Sequence, residues 1–435
     1  KDAELSTRKA IELNPNFAEA HNNLGTILHD LKNLQEAELS VRKAIELNPH
    51  QPDAHLNLGI ILKDLGKLKD AEISIRKSIK LNPSFAIAYH NLGTILKALG
   101  KSQDAEISIR KAIKLNPNYA NAHLNLGTLL SNIGNLKDAE LSTRKAIQIK
   151  PEFGNAYLIL GEVLRDLNRF EESNLAYKKS LEIEPNEIQR IAPMLYTLSQ
   201  ICMWDEIEKY SNSLNKVGIV GKAVNPIHLM YIEDNPLNHL QRAVKFNKEN
   251  SNKENINKEF PKILHQKDKR LNIGYFSSDF RDHVVSHTFI RTLELHDKSK
   301  FKIFAYSLNN INDHYTKRVK DAVFCFRETK HLNDFDIVKL ARNDKIDIAI
   351  DLNGYTKSNR SSIFSYRVAP IQINYLGYPG TMGSQSYDYI LADKVLIPEE
   401  NKKFYTEKVL YFPNSLFPYD IEKNISINKF SREEL

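Results

Sequence analysis

Acidic, basic and hydroxyl side chains are concentrated in one short segment of the chain, residues 277–287. Asp279, His283 and His287 lie within nine residues of one another there. A carboxylate beside imidazoles suits general base chemistry, because histidine titrates near neutral pH and aspartate can accept a proton or orient the ring. The structural alternative is a hydrogen-bonded loop in which Ser286 is the N-cap of the next helix. The residues alone leave both interpretations open.

A second candidate site is the glycine-rich segment 376–383. Gly377, Gly380 and Gly383 would let backbone N–H groups come close to a ligand, as phosphate- and sugar-binding turns require. The spacing matches neither G-x-G-x-x-G nor the Walker pattern, which excludes a dinucleotide or P-loop site. A tight structural turn is the alternative.

Asp334 and Asp336 flank Phe335 in the two-carboxylate pattern of metal-dependent sugar-nucleotide sites. They also open a predicted helix, where acidic side chains favour the helix dipole. A single D-x-D pattern is weak support for a metal. We therefore predict no metal site and no cofactor.

Short β-rich runs precede these segments, and the sequence places them at 271–276, 301–306, 346–351, 371–375 and 389–392. Helical patterns, such as those at 286–295 and 335–342, separate several of the runs. This alternation predicts an α/β, Rossmann-like lobe with a parallel, doubly wound sheet. Ligands of such sheets bind at the carboxyl ends of strands, where both candidate loops begin.

Upstream of this lobe, proline and glycine recur every 34 residues, which is the period of tetratricopeptide repeats. The positions are Pro15, Pro49, Pro83, Pro117, Pro151 and Pro185, and Gly25, Gly59, Gly93, Gly127 and Gly161. Five complete units fit, over 18–51, 52–85, 86–119, 120–153 and 154–187, after half of another. Stacked helix pairs bury a continuous core and leave a long groove. We therefore predict an α-solenoid over 1–187 that binds proteins or peptides.

One polar residue type repeats two positions before the glycine, as Asn23, Asn57, Asn91 and Asn125. Asparagine is a mediocre helix former, so its persistence at one register favours a functional reason over an inherited consensus. A column of side-chain amides offers donors and acceptors to a peptide backbone whatever its side chains. We predict that this asparagine column binds peptide. Ile159 ends it in the last unit.

The fourth position of each unit is aromatic or imidazole: His21, His55, Tyr89, His123 and Tyr157. Metal binding is rejected because no second ligand lies three or four residues away on the same helix. We interpret these side chains as packing residues with a polar edge.

Composition restricts the partners and the compartment. The net charge is +7 and the pI is near 9.0, but lysines alternate with acidic residues, so no nucleic acid is predicted. Cys202 and Cys325 form no disulfide or zinc pattern, which favours a reducing, cytoplasmic location. No apolar run reaches the roughly 18 residues that cross a bilayer, so no membrane partner is predicted.

Between the repeats and the sheet the 34-residue period fades. We predict divergent helical repeats over 188–246 and a linker over 247–270, whose Asn, Lys, Glu and Ser residues are too polar to bury. The α/β lobe then occupies 271–435.

Several ordered motifs resemble one known family. A repeat array joined to Gly-Tyr-Phe-Ser-Ser-Asp-Phe at 274–280, Asn-Gly-Tyr-Thr-Lys at 353–357 and Leu-Gly-Tyr-Pro-Gly-Thr at 376–381 is similar to the protein O-GlcNAc transferases, including plant and bacterial relatives. The resemblance covers essentially the whole chain. It implies the first lobe of a GT-B glycosyltransferase that moves N-acetylglucosamine from UDP-GlcNAc to Ser or Thr of proteins, with inversion and without a metal.

The same resemblance implies roles for individual residues. His283 matches the family's essential histidine beside the donor sugar, and Asp279 matches an aspartate discussed there as a base. Leu376, Gly377 and Arg360 match positions at the donor-sugar pocket and cleft. His287 matches a second, structural histidine of the same loop. The asparagine column matches the family's ladder for the substrate backbone.

Two departures affect the acceptor site. Val284 and Val285 replace a Pro-Thr pair of the animal enzymes, and Ile227 with His228 replaces a His-His pair. Fine details of acceptor binding therefore do not transfer from the family to this chain.

The ends of the chain raise expectations about the complete protein. The chain starts at Lys1 and ends where the family's second lobe begins, so we expect further repeats before it, a second lobe after it, and no detectable transfer by this chain alone. Two alternatives stay open: a repeat scaffold with an inactive glycosyltransferase domain, and a relative that uses another sugar nucleotide or acceptor. Homo-oligomers through the repeats are also considered.

Overall fold

The computed structural model describes residues 2–250 and 270–418, which form two compact units divided between Arg190 and Ile191. The first unit consists of antiparallel helix pairs. Its helices are α1 (Asp2–Leu13), α2 (Ala18–Asp30), α3 (Leu34–Leu47), α4 (Pro52–Asp64), α5 (Leu68–Leu81), α6 (Ala86–Ala98), α7 (Ser102–Leu115), α8 (Ala120–Asn132), α9 (Leu136–Ile149), α10 (Gly154–Asp166) and α11 (Phe170–Ile183). The predicted solenoid of tetratricopeptide repeats is confirmed.

Small residues let the two helices of each repeat approach closely. A Cβ atom added to Gly93 in α6 would overlap Ile109 Cγ1 in α7 and lie 3.2 Å from the carbonyl oxygen of Ala105. The equivalent glycines meet the same obstacle: Gly25, Gly59, Gly127 and Gly161. The glycine recurs every 34 residues because each helix pair needs this contact.

The repeated histidines fasten the first helix of a repeat to the turn before it. In three units the ring Nε2 lies 2.9–3.0 Å from the carbonyl oxygen of the proline six residues earlier. The pairs are His21 with Pro15, His55 with Pro49 and His123 with Pro117. A direct structural role therefore accounts for these histidines as packing residues with a polar edge.

The second unit begins with shorter helices. They are α12 (Ile191–Gln200), α13 (Trp204–Glu208), α14 (Ser211–Leu214), α15 (Ile227–Met230) and α16 (Pro236–Asn250). Residues 247–250 complete α16 and so are helical rather than part of the predicted linker, whose residues 251–269 lie outside the described residues. Within the described ranges, no helix combines the length and the apolar character that a membrane crossing needs.

A seven-stranded parallel sheet forms the rest of this unit, in the order β3-β2-β1-β4-β5-β6-β7. Its strands are β1 (Leu271–Ser277), β2 (Phe301–Ser307), β3 (Cys325–Glu328), β4 (Ile348–Asp351), β5 (Ile371–Asn374), β6 (Tyr389–Ala392) and β7 (Lys408–Tyr411). The connecting helices are α17 (Val284–Leu295), α18 (His314–Ala322), α19 (Asp334–Asn343) and α20 (Ser362–Ser365). The predicted doubly wound sheet is confirmed, with β3 and β7 as additional strands.

Apolar side chains cover both faces of the sheet. In β1, Tyr275 packs against Phe289 of α17, with ring centroids 5.0 Å apart, and the next residue, Phe276, stacks on Tyr306 at 4.4 Å in the opposite layer. Burial of both faces requires the nearly continuous apolar strands that the sequence shows. The strand order reverses between β1 and β4, the topological switch point where ligands of such sheets bind.

Candidate active site

Three loops leave the sheet side by side at the switch point. Phe276 at the end of β1 pairs with Asp351 at the end of β4, and Asp351 pairs with Asn374 at the end of β5. The loops that follow these strands, 277–287, 352–361 and 375–383, therefore begin at one edge of the sheet. Both loops predicted from the strand-end rule are among them.

Asn353, in the loop after β4, binds the loop after β1 through its side-chain amide. Its Oδ1 accepts the backbone N–H of Ser278 at 2.7 Å. Its Nδ2 donates to Asp279 Oδ2 at 2.7 Å and to Ser278 Oγ at 3.0 Å. Because Asn353 and Asp279 are both buried, these bonds fix the carboxylate in a dry environment.

Asp351 is a second buried carboxylate, directly behind Asn353. Its Oδ1 accepts the backbone N–H groups of Asn353 and Gly354, both at 3.0 Å, and its Oδ2 accepts the hydroxyl of Tyr387 at 2.6 Å. Burial raises the pKa of the Asp351 carboxyl, and these three donors oppose that rise. The carboxyl therefore anchors the turn that presents the Asn353 amide.

The sequence did not single out Asp351, Asn353 or Tyr387 for chemistry. The position of 353–357 directly after a strand was the available signal. Asn353 and Asp279 are 74 residues apart, so their contact follows only from the strand order.

His283 is the N-cap of α17, because its Nδ1 accepts the backbone N–H of Val285 at 3.3 Å. This corrects the structural alternative that gave the cap to Ser286, whose hydroxyl instead donates to the carbonyl of Asp279 at 2.6 Å. An accepting Nδ1 places the proton of the neutral ring on Nε2. Partial burial lowers the pKa of His283, against the opposing effect of Asp279, so the ring is neutral at pH 7.

The Asp279 carboxylate faces the histidine with its other oxygen. Oδ1 lies 3.8 Å from His283 Nδ1 and 3.3 Å from the guanidinium of Arg281. The structure thus brings together the two residues predicted as catalytic. At 3.8 Å the two atoms are too far apart for a hydrogen bond, and Nδ1 already accepts the N–H of Val285.

His287 lies one turn further along α17. Its Nε2 lies 2.6 Å from Asp282 Oδ1, and its ring packs on Tyr315 at 4.7 Å between centroids. These contacts link the loop to α18. They are consistent with the structural role inferred for this histidine.

Arg360 binds Asp334, the first residue of the D-x-D pattern. Its Nε donates to Asp334 Oδ1 at 2.7 Å, and the hydroxyl of Ser362 donates to the other carboxylate oxygen. Asn333 is the N-cap of α19, because its Oδ1 accepts the backbone N–H of Asp336 at 2.9 Å, and its Nδ2 donates to Asp336 Oδ2 at 2.7 Å. The pattern therefore serves the helix start and holds an arginine.

A cavity of about 180 Å³ lies beside Arg360. Serine and asparagine side chains and the rings of Phe246, Tyr355 and Tyr387 line it. Tyr387 connects this cavity to Asp351, and through it to Asn353. Arg360 therefore lies near the same polar network as Asp279, although it does not contact the carboxylate.

The glycine-rich loop is packed tightly against its neighbours. A Cβ on Gly377 would overlap the carbonyl oxygen of Leu352, and one on Gly383 would overlap the backbone of α16 at Ala243 and Val244. The N–H of Gly377 donates to the carbonyl of Tyr375 at 3.0 Å. These contacts favour the interpretation of a tight structural turn for the two glycines.

Leu376 has a left-handed backbone, with φ = 71°, although it is not a glycine. A bulky residue in this region costs roughly 1–3 kcal/mol and persists only where the surroundings enforce it. The half-buried side chain packs on the apolar layer that contains Tyr375. The predicted role of Leu376 and Gly377 in sugar binding stays a prediction.

The asparagine column lies on the first helices of successive repeats, on α2, α4, α6 and α8. Two members donate to the preceding repeat: Asn57 Nδ2 to Asn22 Oδ1 at 3.0 Å, and Asn125 Nδ2 to His90 Nε2 at 2.6 Å. For Asn91, the equivalent position in the preceding repeat is Leu56, whose side chain cannot accept a hydrogen bond. Asn91 Nδ2 instead donates within its own helix, to the carbonyl of Ile87 at 2.9 Å.

These bonds use the amide nitrogens of the column. Within the part of the chain that the structure describes, no donor contacts the Oδ1 atoms of Asn57, Asn91 and Asn125. Fixed nitrogens orient carbonyl oxygens that can accept peptide N–H groups. Peptide binding by the column stays a prediction. No group of three or more His, Cys, Asp or Glu side chains among the described residues is arranged to hold a metal.

Known sequence families match both units. Tetratricopeptide repeat families match 18–51, 41–73, 86–119, 109–140 and 154–187. Glycosyl transferase family 41 matches residues 221–428, which include Asp279, His283 and Asn353. This part of the chain is similar to glycosyl transferase family 41.

The relatives are longer than this chain. Over 156 residues it is 36% identical to a probable UDP-N-acetylglucosamine–peptide N-acetylglucosaminyltransferase, SEC, of Arabidopsis thaliana. The matched region covers 36% of this chain and 16% of the relative. Over 160 residues it is 39% identical to the UDP-N-acetylglucosamine–peptide N-acetylglucosaminyltransferase of Caenorhabditis elegans. That matched region covers 35% of this chain and 13% of the relative. The matched regions thus span less than a fifth of each relative.

A solved structure, of a mutant Thermobaculum terrenum O-GlcNAc transferase, is 22% identical and covers 84% of this chain and 58% of that chain. Its TM-score is 0.35, a value too low to support a conclusion.

The family 41 match begins upstream of the sheet, inside the segment predicted as divergent repeats over 188–246. Contacts explain why these helices accompany the lobe. Asn225 Nδ2 donates to the carbonyl of Tyr355 at 3.0 Å, and the ring of Phe246 in α16 packs on that of Tyr355 at 4.9 Å. These helices therefore support the loop that carries Asn353.

Proposed function

We propose that this chain is part of a protein O-GlcNAc transferase, which moves N-acetylglucosamine from UDP-GlcNAc to Ser or Thr hydroxyls of proteins. The observation that carries the proposal is the Asp279–His283 pair at the switch point of the sheet, inside the family match. Transfer would invert the anomeric carbon and use no metal or cofactor beside the donor. The relatives' names support the donor and the acceptor.

In this proposal the acceptor hydroxyl attacks the anomeric carbon, the bond to UDP breaks with its electron pair on the departing phosphate, and the hydroxyl proton passes to a phosphate oxygen of that leaving group. His283 is neutral with its proton on Nε2, so it is suited to donate a hydrogen bond to an oxygen of the bound donor. Asp279 has one oxygen held by Asn353, so its charge orients and stabilises the site. Both functions lower the barrier without a change of protonation.

In this proposal the solenoid binds the protein substrate. Tetratricopeptide arrays bind extended partners, and the asparagine column offers backbone-directed oxygen acceptors along the first helices. Protein or peptide segments are therefore the partners that we propose, with UDP-GlcNAc as the small-molecule partner. We propose neither a nucleic-acid partner nor a membrane partner.

The test is a transfer assay on the longest natural polypeptide that contains this chain, with radiolabelled UDP-GlcNAc and an acceptor protein. We expect transfer, and a loss of roughly 100-fold or more in kcat for H283A, the usual size for a group of this kind. His287 provides the matched control, since H287A removes an imidazole one turn away and should retain most activity. Absence of transfer by the unaltered polypeptide would instead support the scaffold alternative, and full activity of H283A would remove His283 from the site.

A further inference from the structure

We propose that Asn353 is a positioning residue for sugar transfer, whose side-chain amide holds the Asp279 carboxylate in the one orientation that faces His283. The inference rests on the proposed function for its kinetic consequence. Its structural part concerns the chain alone.

The orientation of the amide is fixed by its partners. Oδ1 faces a backbone donor, the N–H of Ser278 at 2.7 Å, and Nδ2 faces an acceptor, Asp279 Oδ2 at 2.7 Å. A rotated amide would set oxygen against carboxylate and NH₂ against N–H. Only the observed orientation satisfies both neighbours, so the amide can transmit a fixed geometry.

The backbone of Asn353 is fixed as well. Its N–H and that of Gly354 are held by the buried Asp351 carboxylate, which in turn accepts from Tyr387. Gly354 has φ = 55°, so the turn depends on a residue without a side chain. The amide is thus presented by a hydrogen-bonded turn directly after β4.

The two oxygens of Asp279 therefore have different partners. Oδ2 accepts from Asn353 and, at 3.2 Å, from the Ser278 hydroxyl. Oδ1 remains for the cations and the imidazole of its own loop, Arg281 and His283. Within residues 2–250 and 270–418, the charged and titratable side chains that lie against Asp279 are these two, with Asp351 behind Asn353.

The discriminating variant is N353D, which keeps the shape and the oxygen that accepts from Ser278. Its second oxygen replaces Nδ2 and would lie 2.7 Å from Asp279 Oδ2. Two carboxylates at this distance repel each other, so the pair must share a proton or move apart. Either change ends the fixed presentation of the charged Oδ1 toward His283.

Asn309 is the matched control because it holds the same loop without touching the carboxylate. Its Nδ2 donates to the carbonyl of Ser278 at 2.7 Å, and its Oδ1 accepts from Ile311 N–H at 2.7 Å. N309D therefore loosens the loop to a similar degree. It creates no carboxylate pair with Asp279.

The first measurement is the ¹³C chemical shift of the Asp279 carboxyl carbon at pH 7, recorded by NMR in the chain labelled with ¹³C-aspartate and assigned by its loss in D279N. We expect this signal to move in N353D, where Asp279 Oδ2 loses the Asn353 donor, and to keep its position in N309D. Should N353D fail to fold, N353A removes the same donor and should also move the signal, while N309A should leave it unchanged. Equal signals in the Asn353 and Asn309 variants would overturn the proposal.

The second measurement is steady-state transfer by the longest natural polypeptide. Because N353D removes the donor that holds the Asp279 carboxylate, kcat at pH 7 should be about 10–100-fold lower. KM for UDP-GlcNAc should change less than about threefold. An unchanged kcat in N353D, or an equal loss in N309D, would refute the positioning role. A moved carboxyl signal with no transfer by any variant or by the unaltered polypeptide would refute the proposed function and leave the hydrogen bond from Asn353 to Asp279 intact.

Discussion

Single hydrogen bonds favour one protonation state in two imidazoles, those of His283 and His90. His283 accepts a backbone N–H at Nδ1, and His90 accepts the amide of Asn125 at Nε2. Burial lowers the pKa of both rings, and brings that of His90 to about 4. A lone pair engaged by a donor favours the neutral form of each ring.

His90 should make the solenoid sensitive to acid. Its pKa lies below the usual 6.5, so the unfolded chain binds the proton more tightly, and stability falls as pH drops from about 6.5 to about 4. Leucine occupies the equivalent positions, Leu56 and Leu124, which makes H90L a compatible replacement.

Thermal unfolding followed by circular dichroism at pH 7, 5.5 and 4.5 checks this prediction. Acidification to pH 4.5 should cost the unaltered chain on the order of 2 kcal/mol more than H90L. H21L is the control, because the His21 ring donates to the carbonyl of Pro15 at the edge of the array, whereas the His90 ring accepts from Asn125. Parallel losses in H90L and the unaltered chain would contradict the assignment.

Helix pairs depend on close contact at one point in each repeat. Gly93 meets Ile109, and the same contact recurs where the partner is Val41, Ile75 or Thr143. The side chain on the second helix varies while the glycine does not. The absence of a Cβ is therefore the shared requirement, and the partner fills the remaining space.

G93A should destabilise the solenoid although alanine favours helices. The overlap with Ile109 costs about 1–3 kcal/mol, which exceeds a gain of about 1 kcal/mol from helix propensity. I109A alone should cost about 2–5 kcal/mol. In the double variant the added methyl group enters the vacated space, so the combined loss should fall short of the sum by about 1 kcal/mol or more.

Urea unfolding of the four variants measures this coupling. Ile107 is the matched control, since it lies on the same helix but is 68% exposed. G93A and I107A should be additive within about 0.5 kcal/mol. Additivity of G93A with I109A would show that the contact does not limit the packing.

The extent to which sequence predicts this chain differs between its two units. Repetition identifies the solenoid because every copy confirms the same positions, from Gly25 to Gly161. The apolar runs of β1, β2, β4, β5 and β6 identify five buried strands. The edge strands β3 and β7 are short and carry charged residues, Arg327 and Lys408 among them, so no apolar pattern indicates them.

The site is predicted where it depends on strand ends and is missed where it depends on long-range contacts. Asp279 and His283 follow β1 directly, so the strand-end rule finds them. Arg360 pairs with Asp334 across 26 residues, and neither residue type indicates that partner. His283 takes the helix cap because its backbone is extended there, a fact that a preference for serine at N-caps does not contain.

The two units should contribute to different kinetic constants. The asparagine column belongs to the solenoid, and the Asp279 network belongs to the sheet, with hydrogen bonds of its own in each unit. Substrate holding by the repeats should affect the acceptor concentration that transfer requires. The chemistry at the sheet should set the rate once the acceptor is bound.

Replacing Asn57, Asn91 and Asn125 together with alanine should therefore raise KM for a protein acceptor about tenfold, while kcat and KM for UDP-GlcNAc change less than about threefold. The matched control replaces Asn121 and Asn132, which are exposed on α8 outside the column. The measurement is steady-state transfer by the longest natural polypeptide that contains the chain, with circular dichroism to show that the helices persist. A fall in kcat with unchanged KM, or an equal effect of the control pair, would show that the column does not bind the substrate backbone. If KM rises for the column variant alone, the asparagines are acceptor-binding residues, and the amide nitrogens already bonded within the solenoid leave their Oδ1 atoms as the contacting groups.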